Sequence, residues 1–93
     1  MENKKKNILG IIQPIFQEVL KNKKLKLKYE SSPETIKNWD SISTVAIVVD
    51  LEKSLKIKFN VSELANLKNV GEIINIIIKK KMTKSLTKLL FKK

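Results

Sequence analysis

Asp40-Ser41-Ile42-Ser43-Thr44-Val45-Ala46-Ile47-Val48-Val49-Asp50-Leu51-Glu52 is the stretch on which the reading of the fold turns. Its apolar residues fall at Ile42, Val45, Val48 or Val49 and Leu51, and the pattern continues to Leu55. Spacings of three and four predict a helix. The β-branched run Ile47-Val48-Val49 favours a strand on propensity alone. Length decides against it, because the run exceeds an ordinary strand. Asp and Ser are preferred residues at helix starts, so Asp40-Ser41 taken alone means no more than an N-cap.

Working outward, residues 7–21 place Ile8, Ile11, Ile12, Ile15, Phe16, Val19 and Leu20 at helical spacing. Pro14 lies inside this pattern and is expected to kink the helix or to start a new turn, since it lacks an N–H. Residues 23–40 are polar and broken. Within them Ser31-Ser32-Pro33-Glu34 reads as a helix start, with Glu34 closing a capping box from Ser31 and at most a short turn before Trp39. Phe59 to Leu64 leads into one helical turn, capped by Asn60 or Ser62. Residues 69–81 carry Val70, Ile73, Ile74, Ile77 and Ile78 on one stripe, with Asn69 as the cap. Residues 82–93 set Met82, Leu86, Leu89, Leu90 and Phe91 among lysines, a basic amphipathic tail. The expectation is an all-α bundle of three main helices and one short helix, each burying one stripe. Val48, Leu51, Leu55, Val70 and Ile74 are expected core.

With Trp39-Asp40-Ser41-Ile42 ahead of a helix, the chain resembles the acyl carrier protein family, in particular stand-alone carriers with a Trp-Asp-Ser type site. The resemblance covers residues 7–81 and needs no gap from Asp40 to Ile78. It implies a four-helix acyl-carrier-like domain over residues 1–81, with residues 82–93 as a tail outside it. It also implies a 4'-phosphopantetheine arm on Ser41, holding an acyl or aminoacyl group as a thioester. Partners would be a phosphopantetheinyl transferase, a loading ligase or transferase, and the enzymes that use the acyl group. Family core positions fall on Val45, Val48, Leu51, Leu55, Phe59, Leu64, Leu67, Val70 and Ile74. Docking is expected on the exposed face near Ser41, with Ile42, Thr44 and Ile47 in apolar contact and Asp40 and Asp50 supplying charge. Two features depart from the family. Ser43 and Ala46 stand where acids are common, which points to a partner with a more apolar contact face, and the lysines from Lys79 onward have no family counterpart.

Composition limits the other readings. The chain has 93 residues, enough for one small domain, with no cysteine and no histidine. Disulfides, thiolate metal sites and the commonest general base are thereby excluded, and the expectation is a monomeric carrier, not an enzyme. Asp50 and Glu52 lie two apart on a helix and point to different faces, as surface acids do. No segment reaches the ~18 apolar residues of a membrane span, and no cleavage site follows Lys4-Lys5-Lys6, so a cytoplasmic location is expected. The net charge is +11, and all 20 basic residues are lysine. With 13 Ile and 8 Asn, part of that excess looks like the codon bias of an AT-rich genome. Residues 1–28 carry +6, residues 29–78 carry −2 and residues 79–93 carry +7. The alternative reading is a small basic protein that binds nucleic acid or an anionic membrane surface through its lysine-rich ends. The acidic centre around Ser41 speaks against a nucleic-acid module, as does the absence of arginine forks.

Overall fold

The computed structural model describes the backbone of residues 2–91 and the side chains of residues 4–81. Four helices follow in order: α1 (Glu2–Val19), α2 (Ser41–Leu55), α3 (Val61–Ala65) and α4 (Val70–Phe91). No strand occurs among the described residues. The expected all-α bundle, three main helices and one short, is the fold observed. The side chains of the basic stretch 82–93 lie outside the described residues.

Helix α1 begins at Glu2, five residues before the expected start, and runs without interruption through Pro14. Proline there removes one backbone hydrogen bond, the one Gly10 O would accept. The fully or nearly buried stripe Ile8, Ile12, Phe16 and Leu20 straddles it at intervals of four and carries the helix across. The helix ends where Lys21 turns left-handed (φ 54°). Lys21 N–H then donates to Glu18 O (3.3 Å) and Asn22 N–H to Gln17 O (2.9 Å), which satisfies the last carbonyls.

The long connection 20–40 is tied to the bundle rather than loose. Gln13 Oε1 accepts from Leu27 N–H (2.8 Å), and Gln17 Nε2 donates to Leu25 O (2.8 Å). Its far end clamps the start of α4: Val70 N–H donates to Ser31 O and Gly71 N–H to Tyr29 O, both at 2.8 Å. A Cβ on Gly71 would stand 3.1 Å from Tyr29 O, so any side chain there would push the two segments slightly apart. The capping box expected at Ser31 and Glu34 does not form. Ser31 is buried, and its hydroxyl accepts from Lys28 N–H (2.9 Å). Ser32 O instead collects Thr35 and Ile36 N–H in a single turn.

Helix α1 packs on both α2 and α4. The core joins Ile12 and Phe16 with Ile47, Val48, Leu51 and Leu55 of α2, and with Val70, Ile73, Ile74 and Ile77 of α4. All five expected core residues are buried. Val45 and Leu64 are not: both are exposed, contrary to their family core positions. Helix α3 buries none of its side chains. It is held by a box in which Asn60 Oδ1 accepts from Glu63 N–H and Glu63 Oε1 from Asn60 N–H. The Lys80 ammonium, 2.7 Å from Glu63 Oε1, ties it to α4. Burial pulls the Glu63 carboxyl upward, but the hydrogen bond from Lys80, the Asn60 N–H and the lysine charges outweigh it and hold the group below its usual 4.5.

Leu51 has no exposed surface. Leu51→Ala should therefore cost about 2–5 kcal/mol, as truncation of a buried leucine does. The check is the urea midpoint; an unchanged midpoint would remove Leu51 from the core.

Candidate functional site

The first turn of α2 is built from a reciprocal cap. Asp40, in extended conformation, accepts Ser43 N–H on Oδ1 (2.9 Å), and Asp40 N–H donates back to Ser43 Oγ (2.8 Å). The Ser43 hydroxyl donates in turn to Asn38 O (3.0 Å). Asp40 O receives the first helical hydrogen bond from Thr44 N–H (2.9 Å). The Ser43 N–H bond is the main reason that the Asp40 carboxyl lies below its usual 3.8; slight desolvation opposes the shift, and the Ser43 hydroxyl and Ile42 N–H add to it.

Trp39 anchors this turn from beneath. Its ring is buried and meets Phe16 of α1 edge to face, with centroids 5.0 Å apart. Its Nε1–H donates to Thr44 Oγ1 (2.8 Å), and the Thr44 hydroxyl donates to Asp40 O (2.7 Å). The hydroxyls of Ser43 and Thr44 are thus both committed to the cap. That of Ser41, between Asp40 and Ile42, points to solvent without a hydrogen bond to the described residues. Ser41 occupies the first helical position, where peptide dipoles and first-turn N–H groups favour a negatively charged substituent.

Beside Ser41 opens a groove of about 460 Å³ lined by Pro33, Asp40, Ser41, Thr44, Val45, Val48, Val49, Leu64 and Leu67. Its walls are mainly aliphatic. No group of three or more His, Cys, Asp or Glu that could hold a metal occurs among the described residues.

Asp40, Ser41, Ile42 and Thr44 come together at the helix start. Ile42 is 81% exposed, whereas Thr44 is half-buried as part of the brace. Ile47 must be corrected. It is 1% exposed and belongs to the core, so it offers nothing to a docking partner. The reason is helical geometry: Ile47, Leu51 and Leu55 follow one another at intervals of four on the face turned to α1 and α4. Asp50 lies about two and a half turns beyond Ser41 and half a turn around the axis, so it is not beside the serine. The exposed apolar residues on the serine side are Ile42, Val45 (64% exposed) and Val49, with Leu64 across the groove. Sequence reasoning assigned Val45 to the core and gave Ser43 no part in the cap. The Asp-x-x-Ser spacing of Asp40 and Ser43 was the available signal for the latter.

Residues 39–77 match the family model described as a phosphopantetheine attachment site. No curated protein matches the chain. Among solved structures, the chain is similar to the solution structure of a holo acyl carrier protein from Geobacter metallireducens. The two are 39% identical over 82% of this chain and 87% of that one, with a TM-score of 0.76.

The lowered carboxyl of Asp40 generates a pH prediction. A depressed folded-state value means a stabilising contribution that is present above the unfolded value near 3.8 and is lost as pH falls through the lower folded value. Asn caps helices as well as Asp does but carries no charge. The melting temperature of the wild type should exceed that of Asp40→Asn slightly near neutral pH, and the gap should close on acidification. A gap that is constant with pH would mean that the charge of Asp40 does not support the helix.

Proposed function

The chain belongs to the acyl carrier protein family, and on that footing we propose that its 4'-phosphopantetheine is carried on Ser41 Oγ. The observation that carries the assignment is the state of the three hydroxyls in the first turn of α2. Ser43 and Thr44 are held in the cap and the Trp39 brace, while Ser41 is exposed and unengaged. A transferase needs a hydroxyl it can reach and deprotonate. Esterification at Ser43 or Thr44 would dismantle the helix start, whereas at Ser41 it leaves every cap bond intact.

The function of the chain is that of an acyl carrier. The arm supplies a thiol that holds the acyl group as a thioester. The protein's own residues do the rest: Ser41 anchors the arm, and the end of α2 accommodates its phosphodiester charge. The aliphatic groove beside Ser41 offers apolar cover to whatever the arm carries. Catalysis belongs to the partners, which for this family are a phosphopantetheinyl transferase and acyl-handling enzymes. A loading ligase or transferase, a monomeric state and a cytoplasmic location complete the reading. No helix among the described residues is long and apolar enough to cross a membrane. The comparisons lend nothing to a nucleic-acid-binding function.

Docking is assigned to Ile42, Val45 and Val49 with Asp40 at the rim; Thr44 supports the surface from within. Helix α2 has no acid in its first turn, so the partner's contact face must be met largely by aliphatic side chains.

Two tests follow. Intact mass after incubation with coenzyme A and a broad-specificity phosphopantetheinyl transferase should show one phosphopantetheine on the wild type and none on Ser41→Ala. Modification that persists in the variant would move the site. Val45→Lys should slow acyl transfer from the cognate loading enzyme severalfold while leaving the melting temperature unchanged, because an exposed side chain off the core is replaced. Unaltered transfer would remove Val45 from the docking face.

A further inference from the structure

The lysines are unevenly placed on the folded molecule. Phe16 meets Trp39 beside the start of α2, and α1 goes on burying Ile12 and Ile8 as it runs back toward its own N-terminus. Since α1 packs on α2 and α4, it must lie antiparallel to α2. Lys4, Lys5 and Lys6, one turn before Ile8, therefore reach the end of the bundle where α2 stops. Lys53 stands in the last turn of α2, with Lys56 and Lys58 just beyond. The Lys81 ammonium donates to Leu55 O (2.7 Å), which brings Lys79, Lys80 and Lys81 of α4 to the same end.

Three separate segments thus deliver nine lysines to one pole. The acids there are fewer: Asp50 one turn before Lys53, Glu2 at the start of α1, and Glu52 and Glu63, of which Glu52 Oε2 accepts Phe59 N–H (2.8 Å) and Glu63 pairs with Lys80. At the Ser41 pole the lysines of residues 21–37 are interspersed with Glu18, Glu30, Glu34 and Asp40. The backbone of α4 continues from the basic pole to Phe91, and from Lys79 onward the sequence holds seven lysines and no acid.

We infer that the pole opposite Ser41 is a docking surface for an anionic lipid bilayer. The chemistry selects this partner over nucleic acid. Base edges are read by planar donor forks and single strands by exposed aromatic rings. The pole has no arginine, and its described aromatic ring, Phe59, is buried under the Lys80 ammonium at 5.8 Å. Ammonium groups on flexible stems, delivered by three segments to one pole, suit a diffuse sheet of headgroup charge. Docked in this way, the protein holds Ser41 at least about 20 Å from the surface, the length of α2, and faces it toward partner enzymes.

The test is co-sedimentation of the full chain with vesicles of phosphatidylcholine, with and without phosphatidylglycerol. Binding is expected only with the anionic lipid and should weaken as salt is raised. A variant with Lys4, Lys6, Lys53, Lys58 and Lys79 each changed to Gln should lose affinity by about fivefold per lysine. A variant with the same change in charge at Lys23, Lys24, Lys26, Lys28 and Lys37 should bind as wild type does. Circular dichroism checks that both are folded. Equal losses in the two variants would reduce the effect to net charge and overturn the assignment of a pole. Equal binding to neutral vesicles, no binding at all, or tighter binding of duplex DNA than of anionic vesicles would each overturn the proposal. Ser41→Ala should bind vesicles normally, so this surface and the attachment site stand or fall separately.

Discussion

The burial of Trp39 is the constraint on which the working end of the molecule depends. An indole in the core brings a polar N–H with it, and a buried N–H left unpaired would cost about 1–3 kcal/mol. Thr44 meets that demand one turn into α2, and its own hydroxyl is then aimed back at Asp40 O. The edge contact with Phe16 fixes the indole against α1. These contacts place Trp39, just before the cap, in the core and Ser41, just after it, in solvent. Ser41 is exposed because Trp39 is buried.

The same logic of satisfied ends runs through the bundle. α1 and α2 both stop at a lysine in the left-handed region, Lys21 and Lys56, a conformation that β-branched residues avoid. The carbonyls released at the end of α2 are met by Ile57 N–H on Glu52 O and by the Lys81 ammonium on Leu55 O. A cation at a helix C-terminus is also favoured by the dipole. Some of the lysine excess therefore has structural work close to the fold's polar ends, while Lys4, Lys6, Lys53, Lys58 and Lys79 remain exposed at the surface.

Helix existence was legible in the sequence because each main helix repeats its apolar residues at three and four. The cap Asn69 was legible because a single polar side chain next to an apolar run has one obvious use, and its Oδ1 does accept Glu72 N–H (2.8 Å), whereas at α3 the sequence left Asn60 and Ser62 open and Asn60 is the cap. What failed did so for physical reasons. Ser31 looked like a cap, but tertiary clamping of α4 captured its carbonyl and turned the segment away from helix. Ile47 was placed on the exposed face because α2 is apolar nearly all the way round. Residues 42, 45, 47, 48, 49 and 51 are all aliphatic, so periodicity alone cannot say which side meets α1. Only packing separates Ile47 from Val45.

That all-round apolarity bears on how the molecule is recognised. Contact through Ile42, Val45 and Val49, on the proposed docking face, would depend on removing aliphatic surface from water, which added salt does not weaken. Attraction between a lysine pole and anionic headgroups is screened within about 10 Å at moderate ionic strength. Ser41 and the lysine pole lie at opposite ends of a helix about 20 Å long, while Val49 and Lys53, one turn apart, line a common groove where the two proposed surfaces meet. On the proposed docking face, the aliphatic contact of Ile42 and Val45 would be less sensitive to salt than attraction at the lysine pole. A carrier with acids in the first turns of α2 would lack this difference, because its docking and its surface attraction would both respond to salt.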